Sequence, residues 1–561
     1  MDYKPENPII VQGDKTVLLE VHSPLYEQAR DGLARFAELV KSPEHIHTYR
    51  ITPLSIWNAV AAGFSADEAV STLESFAKYD IPAHVITEIK DYAGRYGRIK
   101  LEKDGDRLKL SVSDIYLAEE LYRHKVIFAL IAERSDKTEF KVLPINRGLL
   151  KQELIRIGWP AEDLAGYVKG EKFEINLNDQ TSVGAPFKLR DYQQNAVDIF
   201  HAGGGVKGGS GVVVMPCGAG KTIIGIGTMA CLDTSTLIIT TSTTALRQWR
   251  EELIDKTSVT EDDVGEYSGF AKDIAPITIT TYQMLTHRKS KQENFEHFEL
   301  FNKRKWGLIV YDEVHVLPAP VFMVTAQIQA TRRLGLTATL VREDGKEEDV
   351  FALIGPKRAD VPWKVLEDSG WIAPAICREV RLTLPEELKM EYAIANNRDK
   401  FRIASENSEK LKVVEKLLEK HQGESTLVIG QYLSQLEYIA EKLDAPLLTG
   451  KTKQSLRDEL FKGFKDGEIK VLVVSKVANF AVDLPDARVA IQVSGTFGSR
   501  QEEAQRLGRI LRPKEDGGQA TFYTLVTRDT TEMGFAQHRQ LFLTEQGYAY
   551  EILDASVYEQ G

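Results

Sequence analysis

The chain has 561 residues, of which 43% are hydrophobic and 27% charged, and its formal net charge is −11. That length is too great for one hydrophobic core, and the charge argues against a protein that coats nucleic acid by bulk electrostatics, although a local basic groove stays compatible with it. No apolar run approaches the roughly 20 residues that span a bilayer, and the first residues lack the pattern of a signal peptide. The spacing of Cys217, Cys231 and Cys377 fits neither a metal site nor a disulfide framework. We therefore expect a multidomain cytoplasmic protein without a membrane segment.

The first structured region is predicted to contain three helices and a hairpin. Residues 50–100 carry three short helical patterns, and Ser65 with Glu68 forms a capping-box start for the second of them. The alternating sequence "RIKLEKDGDRLKLSV" follows, with a turn signal at its Asp-Gly pair. Together these elements suggest a winged-helix-like module. Three basic residues accompany the third helix: Lys90, Arg95 and Arg98. They indicate either a helix that reads nucleic acid or the solvated face of a docking domain.

The larger part of the chain is predicted to form two α/β domains in tandem. Residues 107–185 look like a small α+β segment that ends in a linker candidate, "NLNDQTSVGAPF". After residue 186, short β-branched runs alternate with helical stretches, which is typical of buried parallel strands joined by crossover helices. A second set of such runs spans residues 425–527. The predicted domains are therefore residues 1–106, 107–185, 186–375 and 376–530, followed by a C-terminal tail at 531–561.

A phosphate-binding loop is predicted at "MPCGAGKT". The sequence departs from the pattern G-x-x-x-x-G-K-[ST] because Met215 stands in place of the first glycine. The context of strand, turn and helix nevertheless fits, and Gly218 and Gly220 permit a tight turn whose N–H groups cradle phosphate oxygens. Lys221 supplies a charge to the β- and γ-phosphates, and Thr222 supplies a hydroxyl to Mg²⁺.

Two adjacent carboxylates complete a predicted nucleotide-hydrolysing site. The sequence "LIVYDEVH" is an apolar strand that ends in Asp312 and Glu313, about 90 residues after Lys221. Asp312 at the strand tip can hold Mg²⁺, and Glu313 can polarise an attacking water molecule. A solvated strand end would not explain why such a strand follows such a loop, so the pair predicts a nucleoside triphosphatase.

A basic helix is predicted in the second α/β domain. In "EEAQRLGRILRPK", Arg506, Arg509 and Arg512 recur every three residues along roughly one helical face. They form either a solvated face or, if they face the nucleotide, arginine fingers that neutralise charge during phosphoryl transfer. In the second case the nucleotide state would control domain closure.

Taken in order, these motifs resemble those of superfamily 2 helicases, and specifically those of the XPB branch. "LRDYQ" resembles the adenine-reading Q motif, which makes Gln193 the base contact. "MPCGAGKT" and "DEVH" resemble motifs I and II, which implies that His315 couples hydrolysis to nucleic acid. "TTYQML" resembles a strand-contacting motif that begins with Thr280 and Thr281.

Later segments extend the resemblance to XPB proteins. "GLTATLVRED" resembles motif III followed by the RED element of the family, "SKVANFAVDLPDA" resembles motif V, and "QRLGRILR" resembles motif VI with fingers at Arg509 and Arg512. These three segments imply roles in coupling or in binding nucleotide or nucleic acid for Thr337, Thr339, Arg342, Glu343, Asp344, Asp483 and Gln505. The Q motif and motif I imply nucleotide contacts for Arg190, Pro216, Cys217, Gly218 and Ala219.

The resemblance implies two RecA-like parallel-sheet domains preceded by smaller α+β N-terminal domains. The N-terminal segment resembles that of XPB proteins, residues 107–185 stand where the family has a damage-recognition-like domain, and residues around 385–410 stand at a thumb-like insert or form a long inter-domain helix. The implied activity is an ATP- and Mg²⁺-dependent DNA helicase that moves 3′ to 5′ in repair or transcription, with a nuclease or repair complex as a possible partner. Three alternatives stay open: a duplex translocase, an ATP-gated damage-binding module and an RNA helicase.

Overall fold

The computed structural model of the chain describes residues 3–41, 45–205, 208–215, 219–288, 296–329, 331–338, 346–360, 366, 375–475, 487–495, 520–545 and 549–559. The chain divides into two compact units. The first contains the residues up to Val361 except two short segments, 39–47 and 216–219, and the second contains the rest. Among the described residues, no helix is both long and apolar enough to cross a membrane.

The N-terminal region consists of short strands and helices. Its elements are β1 (Ile9–Val11), β2 (Thr16–Glu20), α1 (Tyr26–Ala34), β3 (Glu38–Lys41), β4 (Ile46–Arg50), α2 (Pro53–Ala61), α3 (Ala66–Phe76) and α4 (Ala83–Arg95). Strands β1 and β2 pair antiparallel. The three predicted helices are confirmed as α2, α3 and α4, and α3 begins with the predicted capping box of Ser65 and Glu68.

The basic residues of α4 have partners inside the first unit. Lys90 Nζ lies 3.1 Å from an oxygen of Asp67, and Arg95 pairs with Asp91 at 2.7 Å. The guanidinium groups of Arg95 and Arg98 lie 5.1 and 5.9 Å from the centre of the Trp159 ring. These contacts are compatible with both alternatives for α4, because the Lys90–Asp67 and Arg95–Asp91 pairs lie at the surface.

A five-stranded sheet follows α4 along the chain. Its elements are β5 (Ile99–Asp104), β6 (Arg107–Val112), α5 (Ile115–Arg123), α6 (Lys125–Leu130), β7 (Ile131–Arg134), β8 (Glu139–Val142), α7 (Arg147–Arg156) and β9 (Ala161–Leu164). The strand order is β7-β8-β6-β5-β9, and the predicted hairpin is confirmed as the antiparallel pair β5–β6. The predicted domain boundary after residue 106 falls in the turn of this hairpin, so the strands on either side of that boundary share one sheet.

Seven parallel strands form the sheet that carries the predicted nucleotide site. The elements are α8 (Asp191–His201), β10 (Ser210–Val214), α9 (Lys221–Leu232), β11 (Thr236–Thr240), α10 (Thr243–Lys256), β12 (Val264–Tyr267), β13 (Ile277–Thr281), α11 (Tyr282–Thr286), α12 (Leu300–Lys303), β14 (Leu308–Asp312), α13 (Ala319–Gln327), β15 (Arg332–Thr337), α14 (Glu347–Leu353) and β16 (Lys357–Asp360). Their order is β12-β13-β11-β14-β15-β10-β16, and every neighbouring pair is parallel. Parallel strands present their carboxyl ends at one edge of a sheet, where ligands of such folds bind.

The N-terminal elements pack directly on this sheet domain. Leu54 and Trp57 of α2 and Ile155 of α7 belong to the same buried apolar cluster as strands β11 and β14. Gln152 of α7 donates a 2.7 Å hydrogen bond to Asp349 of α14. The linker candidate also lies on the domain, because Ser182 N donates to Asp255 Oδ1 at 2.7 Å. Helices α2 and α7 and the linker candidate therefore pack on the parallel-sheet domain within the first unit.

The second unit contains the other parallel sheet. Its elements are β17 (Ala375–Leu382), α15 (Glu386–Ile394), α16 (Asn397–Ser405), α17 (Glu409–Lys420), β18 (Thr426–Gly430), α18 (Leu433–Leu443), β19 (Leu447–Leu448), α19 (Gln454–Lys465), β20 (Val471–Ser475), β21 (Val489–Gln492), β22 (Ala520–Thr527), α20 (Thr531–Glu545), β23 (Ala549–Asp554) and α21 (Ser556–Glu559). The strand order is β19-β20-β18-β21-β22-β17-β23, again parallel throughout. Two tandem parallel-sheet domains are thus confirmed.

Two predictions for the second unit differ from the observed structure. The segment 385–410 contains two short helices, because Asn396 caps a new helix, α16, with hydrogen bonds from Arg398 N and Asp399 N. The single long helix that was the alternative to a thumb-like insert is therefore wrong. The predicted C-terminal tail supplies β23, which pairs with β17 and forms an edge of the sheet.

Candidate active site

The predicted phosphate-binding loop joins β10 to α9 at the carboxyl edge of the first sheet. Gly220 precedes α9 with φ +79°, a conformation that glycine adopts without strain. A Cβ there would lie 2.5 Å from the Gln193 amide nitrogen, so a side chain at this position would require the Gln193 side chain to move. Lys221 is the first residue of α9, and Thr222 follows it in the first helical turn. Ile223 N and Ile224 N donate to Gly220 O, and the start of such a helix is a usual place of anion binding.

The acidic pair stands two strands away from the loop. Asp312 ends β14, and β15 lies between β14 and β10. Glu313 follows with φ +52°, a left-handed backbone conformation that costs a non-glycine residue roughly 1–2 kcal/mol. Its carboxylate is buried, with Lys221 Nζ 3.6 Å from Oε1. Its Oε2 atom is buried and accepts no hydrogen bond from the residues that the structure describes.

The electrostatics of the pair favour a bound cation. Burial, and then the adjacent Glu313 carboxylate, raise the pKa of Asp312 to about 6. Two carboxylates and one lysine thus share a buried space, and one carboxylate oxygen lacks a partner. No group of three or more histidine, cysteine or acidic residues that could hold a metal occurs among the described residues. This donor set fits Mg²⁺, which usually binds one or two carboxylates together with substrate phosphates rather than a cage made by protein alone.

His315 connects the acidic pair to the end of the neighbouring strand. Its Nδ1 atom lies 2.6 Å from the hydroxyl oxygen of Thr337, the last residue of β15, and 3.6 Å from Glu313 Oε2. His315 and Thr337 are both buried. The predicted motif II and motif III residues therefore meet through one hydrogen bond, so a shift at either one reaches the other.

The Q-motif residues lie beside the phosphate-binding loop. Gln193 is buried, and its Oε1 accepts a 3.0 Å hydrogen bond from the backbone N–H of Arg190, which caps the start of α8. Arg190 Nη1 donates to the Tyr192 hydroxyl at 2.9 Å. The Gln193 amide next to Gly220 is thereby held against the loop. Contact with the nucleotide base stays a prediction.

The two threonines assigned to strand contact use their hydroxyls within the domain. Thr280 is fully buried and donates to the backbone oxygen of Tyr267 at 2.8 Å. Thr281 caps α11 by accepting a hydrogen bond from Met284 N. Both hydroxyls thus stabilise the carboxyl ends of β12 and β13. Their contact with nucleic acid stays a prediction.

Two aromatic residues that hold Asp312 escaped the sequence prediction. Trp249 of α10 donates its indole N–H to Asp312 Oδ2 at 3.1 Å, and the Tyr282 hydroxyl donates to the backbone oxygen of Asp312 at 3.0 Å. The available signal was the buried stripe of Leu246, Trp249 and Leu253 on α10. A buried indole requires an acceptor, although the sequence does not say which one.

Comparison with known proteins places the chain in a family. The "DNA 3'-5' helicase XPB" of Kineococcus radiotolerans is 54% identical over 557 residues, which cover 99% of this chain and 98% of that protein. The protein of the same name from Mycobacterium tuberculosis is 54% identical over 98% of both chains. This chain belongs to the XPB family of superfamily 2 helicases.

Wider comparisons agree with membership of the XPB family. The profile described as "ERCC3/RAD25/XPB C-terminal helicase" matches residues 366–560, and "Type III restriction enzyme, res subunit" matches residues 186–342. "Helicase conserved C-terminal domain" matches residues 9–136. The "General transcription and DNA repair factor IIH helicase/translocase subunit XPB/SSL2" of Saccharomyces cerevisiae is 30% identical over 97% of this chain and 72% of its own length. The predicted XPB resemblance and the RecA-like fold class are confirmed.

Several residues that the XPB resemblance implied lie outside the described residues. They are Pro216, Cys217, Gly218, Thr339, Arg342, Glu343, Asp344, Asp483, Gln505, Arg509 and Arg512. Ala219 is described and buried. The roles of all twelve stay predictions, so the described part of the site consists of the Lys221 turn, the acidic pair, His315 with Thr337, and the Q motif.

Proposed function

We propose that the protein is an ATP-dependent DNA helicase or translocase that moves 3′ to 5′ and opens or remodels duplex DNA in repair or transcription. The observation that carries the proposal is the buried pair Asp312 and Glu313 opposite Lys221, with Glu313 Oε2 left without a hydrogen bond. Membership of the XPB family supplies DNA as the substrate and 3′-to-5′ as the direction, since relatives of this length and identity carry that name.

The described residues divide the hydrolytic step among themselves. Lys221 and the first turn of α9 bind the β- and γ-phosphates, while Thr222 and Asp312 would hold Mg²⁺. The ion, when bound, neutralises charge that develops on the phosphate oxygens. Glu313 accepts a proton from the attacking water molecule. The water oxygen bonds to the γ-phosphorus while the bond from that phosphorus to the β,γ-bridging oxygen breaks. Arg509 and Arg512 are the proposed transition-state-stabilising arginines.

Coupling of hydrolysis to DNA is assigned to His315. Its ring bridges Thr337 and the region of Glu313, so a displacement of the β15 end alters the surroundings of the general base. A motor that follows a strand mainly contacts phosphates, which position the protein without reading sequence. Its DNA binding is accordingly expected to weaken steeply as salt rises.

The test is steady-state ATPase activity at low salt with no nucleic acid, single-stranded DNA, duplex DNA and RNA in parallel. Glu313→Gln serves as the blank. Stimulation by DNA but not by RNA supports the proposal, whereas equal turnover in all four conditions contradicts it and indicates an ATPase gated by another partner.

A second pair of assays separates unwinding from duplex translocation. Strand displacement from a partial duplex reports unwinding, and displacement of a triplex-forming strand reports movement along intact duplex. Equal binding of damaged and intact duplexes would exclude the damage-gated alternative. A nuclease or repair complex as partner stays a prediction that pull-down with the full chain can test.

A further inference from the structure

Trp249 makes an unusual contact for a core aromatic residue. It lies near the middle of α10, is 1% exposed, and donates its indole N–H to Asp312 Oδ2 at 3.1 Å across 63 residues of sequence. A backbone carbonyl can accept the hydrogen bond of a buried indole N–H, as Leu300 O does for Trp306 at 2.9 Å. Trp249 instead uses one oxygen of the carboxylate that is proposed to hold the cation.

The indole is fixed in place by the helix of the phosphate-binding loop. Gly225 of α9 lies so close to the Trp249 ring that a Cβ at this position would overlap it. The same Cβ would touch Leu336 of β15, which places the ring between α9 and the sheet. The Trp249 ring therefore packs against α9, which starts with Lys221 and Thr222.

The indole contact determines how the carboxylate is oriented. An indole N–H donates only, so it requires an acceptor oxygen in this position. With Oδ2 held by Trp249 and the backbone oxygen of the same residue held by Tyr282, both the side chain and the main chain of Asp312 are anchored by aromatic donors. Rotation of the carboxylate is thereby restricted, and its second oxygen is left for the cation. Partners that orient a metal ligand in this way commonly change metal affinity 10- to 100-fold.

We propose that Trp249 is a positioning residue that sets the affinity of the nucleotide site for Mg²⁺ by orienting Asp312. The inference rests on the proposed function, since it assumes that the site binds ATP with Mg²⁺. It goes further by assigning a role to a residue of α10 that acts through Asp312. It also connects the helix after β11 to the hydrolytic centre through one hydrogen bond.

The experiment compares Trp249→Phe with Trp306→Phe in the full chain. Both substitutions remove a buried indole N–H hydrogen bond in the same unit, and only the first removes one from Asp312. Binding of a fluorescent ADP analogue is titrated with Mg²⁺, and thermal unfolding is recorded for each variant. The Mg²⁺ concentration at half-saturation is expected to rise at least about tenfold in Trp249→Phe. It stays near the wild-type value in Trp306→Phe.

An equal Mg²⁺ requirement in Trp249→Phe and wild type overturns the inference while leaving the proposed function intact. Equal rises in both variants also overturn it, because a general packing effect would then suffice. Absence of Mg²⁺-dependent nucleotide binding in the wild type contradicts the proposed function itself. If Trp249→Phe does not fold, benzothienylalanine at position 249 replaces the N–H by sulfur at nearly constant volume. The same tenfold criterion then decides.

Discussion

Two buried carboxylate clusters in the first unit hold their charges in opposite ways. At the carboxyl edge of the parallel sheet, Asp312 and Glu313 are adjacent acids that face a single lysine, and Glu313 Oε2 accepts no hydrogen bond. In the N-terminal five-stranded sheet, Asp163 is a single acid that faces two cations. Arg147 binds it with two hydrogen bonds of 3.0 and 2.8 Å, and Lys151 Nζ lies 2.8 Å from Oδ2.

The pKa values of the two acids move in opposite directions. Burial alone would raise the pKa of Asp163, but Lys151 and Arg147 outweigh it and hold that pKa well below its usual range. Burial and a like-charged neighbour raise the pKa of Asp312 instead. A cluster whose acid is held by cations of the protein itself is complete as a structural element. A cluster with excess negative charge, in which a carboxylate oxygen accepts no hydrogen bond from the described residues, is typical of functional sites that bind a ligand.

The first prediction breaks the ligand-requiring cluster. Glu313→Gln is expected to lower DNA-stimulated ATP turnover by roughly 10²–10⁴-fold, because an amide cannot accept the proton of the attacking water. The melting temperature should not fall, since a buried carboxylate with an unpaired oxygen is replaced by a neutral group of the same shape. Steady-state ATPase assays and thermal unfolding provide the two measurements.

A matched control for this variant is Glu299→Gln. Glu299 is exposed and contacts only Lys303 of α12 among the residues for which an ion pair is described. The DNA-stimulated ATP turnover of Glu299→Gln should match that of the wild type. Near wild-type turnover in Glu313→Gln would show that another group acts as the general base.

The second prediction breaks the Asp163 cluster. Asp163→Asn leaves Arg147 and Lys151 buried without a counter-charge, and removal of one partner from a buried ion pair typically costs about 3–5 kcal/mol. Urea unfolding followed by fluorescence should show this loss in the transition of the first unit, whereas nucleotide binding by the folded protein is retained.

Asp91→Asn is the corresponding surface control. Asp91 also pairs with an arginine, Arg95, but its side chain is 53% exposed. An exposed pair of this kind contributes only about 0–1 kcal/mol. Equal losses in the two variants would mean that burial does not distinguish the Asp163 cluster.

The third prediction concerns pH. The pKa of Asp163 is depressed in the folded chain relative to about 3.9 in the unfolded chain. Its contribution to the free energy of unfolding is therefore fully present above about pH 4 and is lost as pH falls further, when the unfolded chain takes up the proton first. The part of the difference in unfolding free energy between wild type and Asp163→Asn that comes from Asp163 itself should shrink below about pH 4. Above pH 4 the difference also follows the charge of Lys151, because burial lowers the pKa of Lys151 to about 7. A difference that stays constant to pH 3 would contradict the assigned pKa direction.

Local patterns predicted the motifs of the candidate nucleotide site, whereas no pattern predicted the Asp163 cluster. The loop before Lys221 and the strand before Asp312 are contiguous motifs, and hydrolysis chemistry dictates their residue types. The Asp163 cluster has no such motif, because Arg147 and Lys151 lie on α7 and Asp163 lies on β9. Only the packing of that helix on that strand brings the charges together. The hydrogen bond of Trp249 could not be predicted for the same reason, because its acceptor, Asp312, lies 63 residues away in the sequence.

The domain organisation could be predicted from the sequence only where the paired strands are close together along the chain. The hairpin β5–β6 follows from its Asp-Gly turn and alternation. The parallel pair β5–β9 joins residues about 60 apart, and nothing in either short strand specifies that pairing. Likewise, β23 pairs with β17, which lies at the other end of the second unit in the sequence. The composition of β23 does not distinguish it from a C-terminal tail. Long-range pairings of this kind depend on the whole buried surface rather than on local periodicity.

The smallest predicted effect refines the comparison within the nucleotide site. Thr337→Val keeps the shape of the side chain but removes the hydroxyl 2.6 Å from His315 Nδ1. The ratio of DNA-stimulated to basal ATP turnover should fall about fivefold, the lower end of typical coupling energies, because His315 is then no longer tied to the end of β15. Thr278→Val is the control, since Thr278 is equally buried in β13 and its hydroxyl donates only to nearby Ala275 O. A fall of the ratio in both variants would indicate a general loss of packing. A fall in Thr337→Val alone would identify the bond between His315 and Thr337 as the link through which DNA reaches the general base.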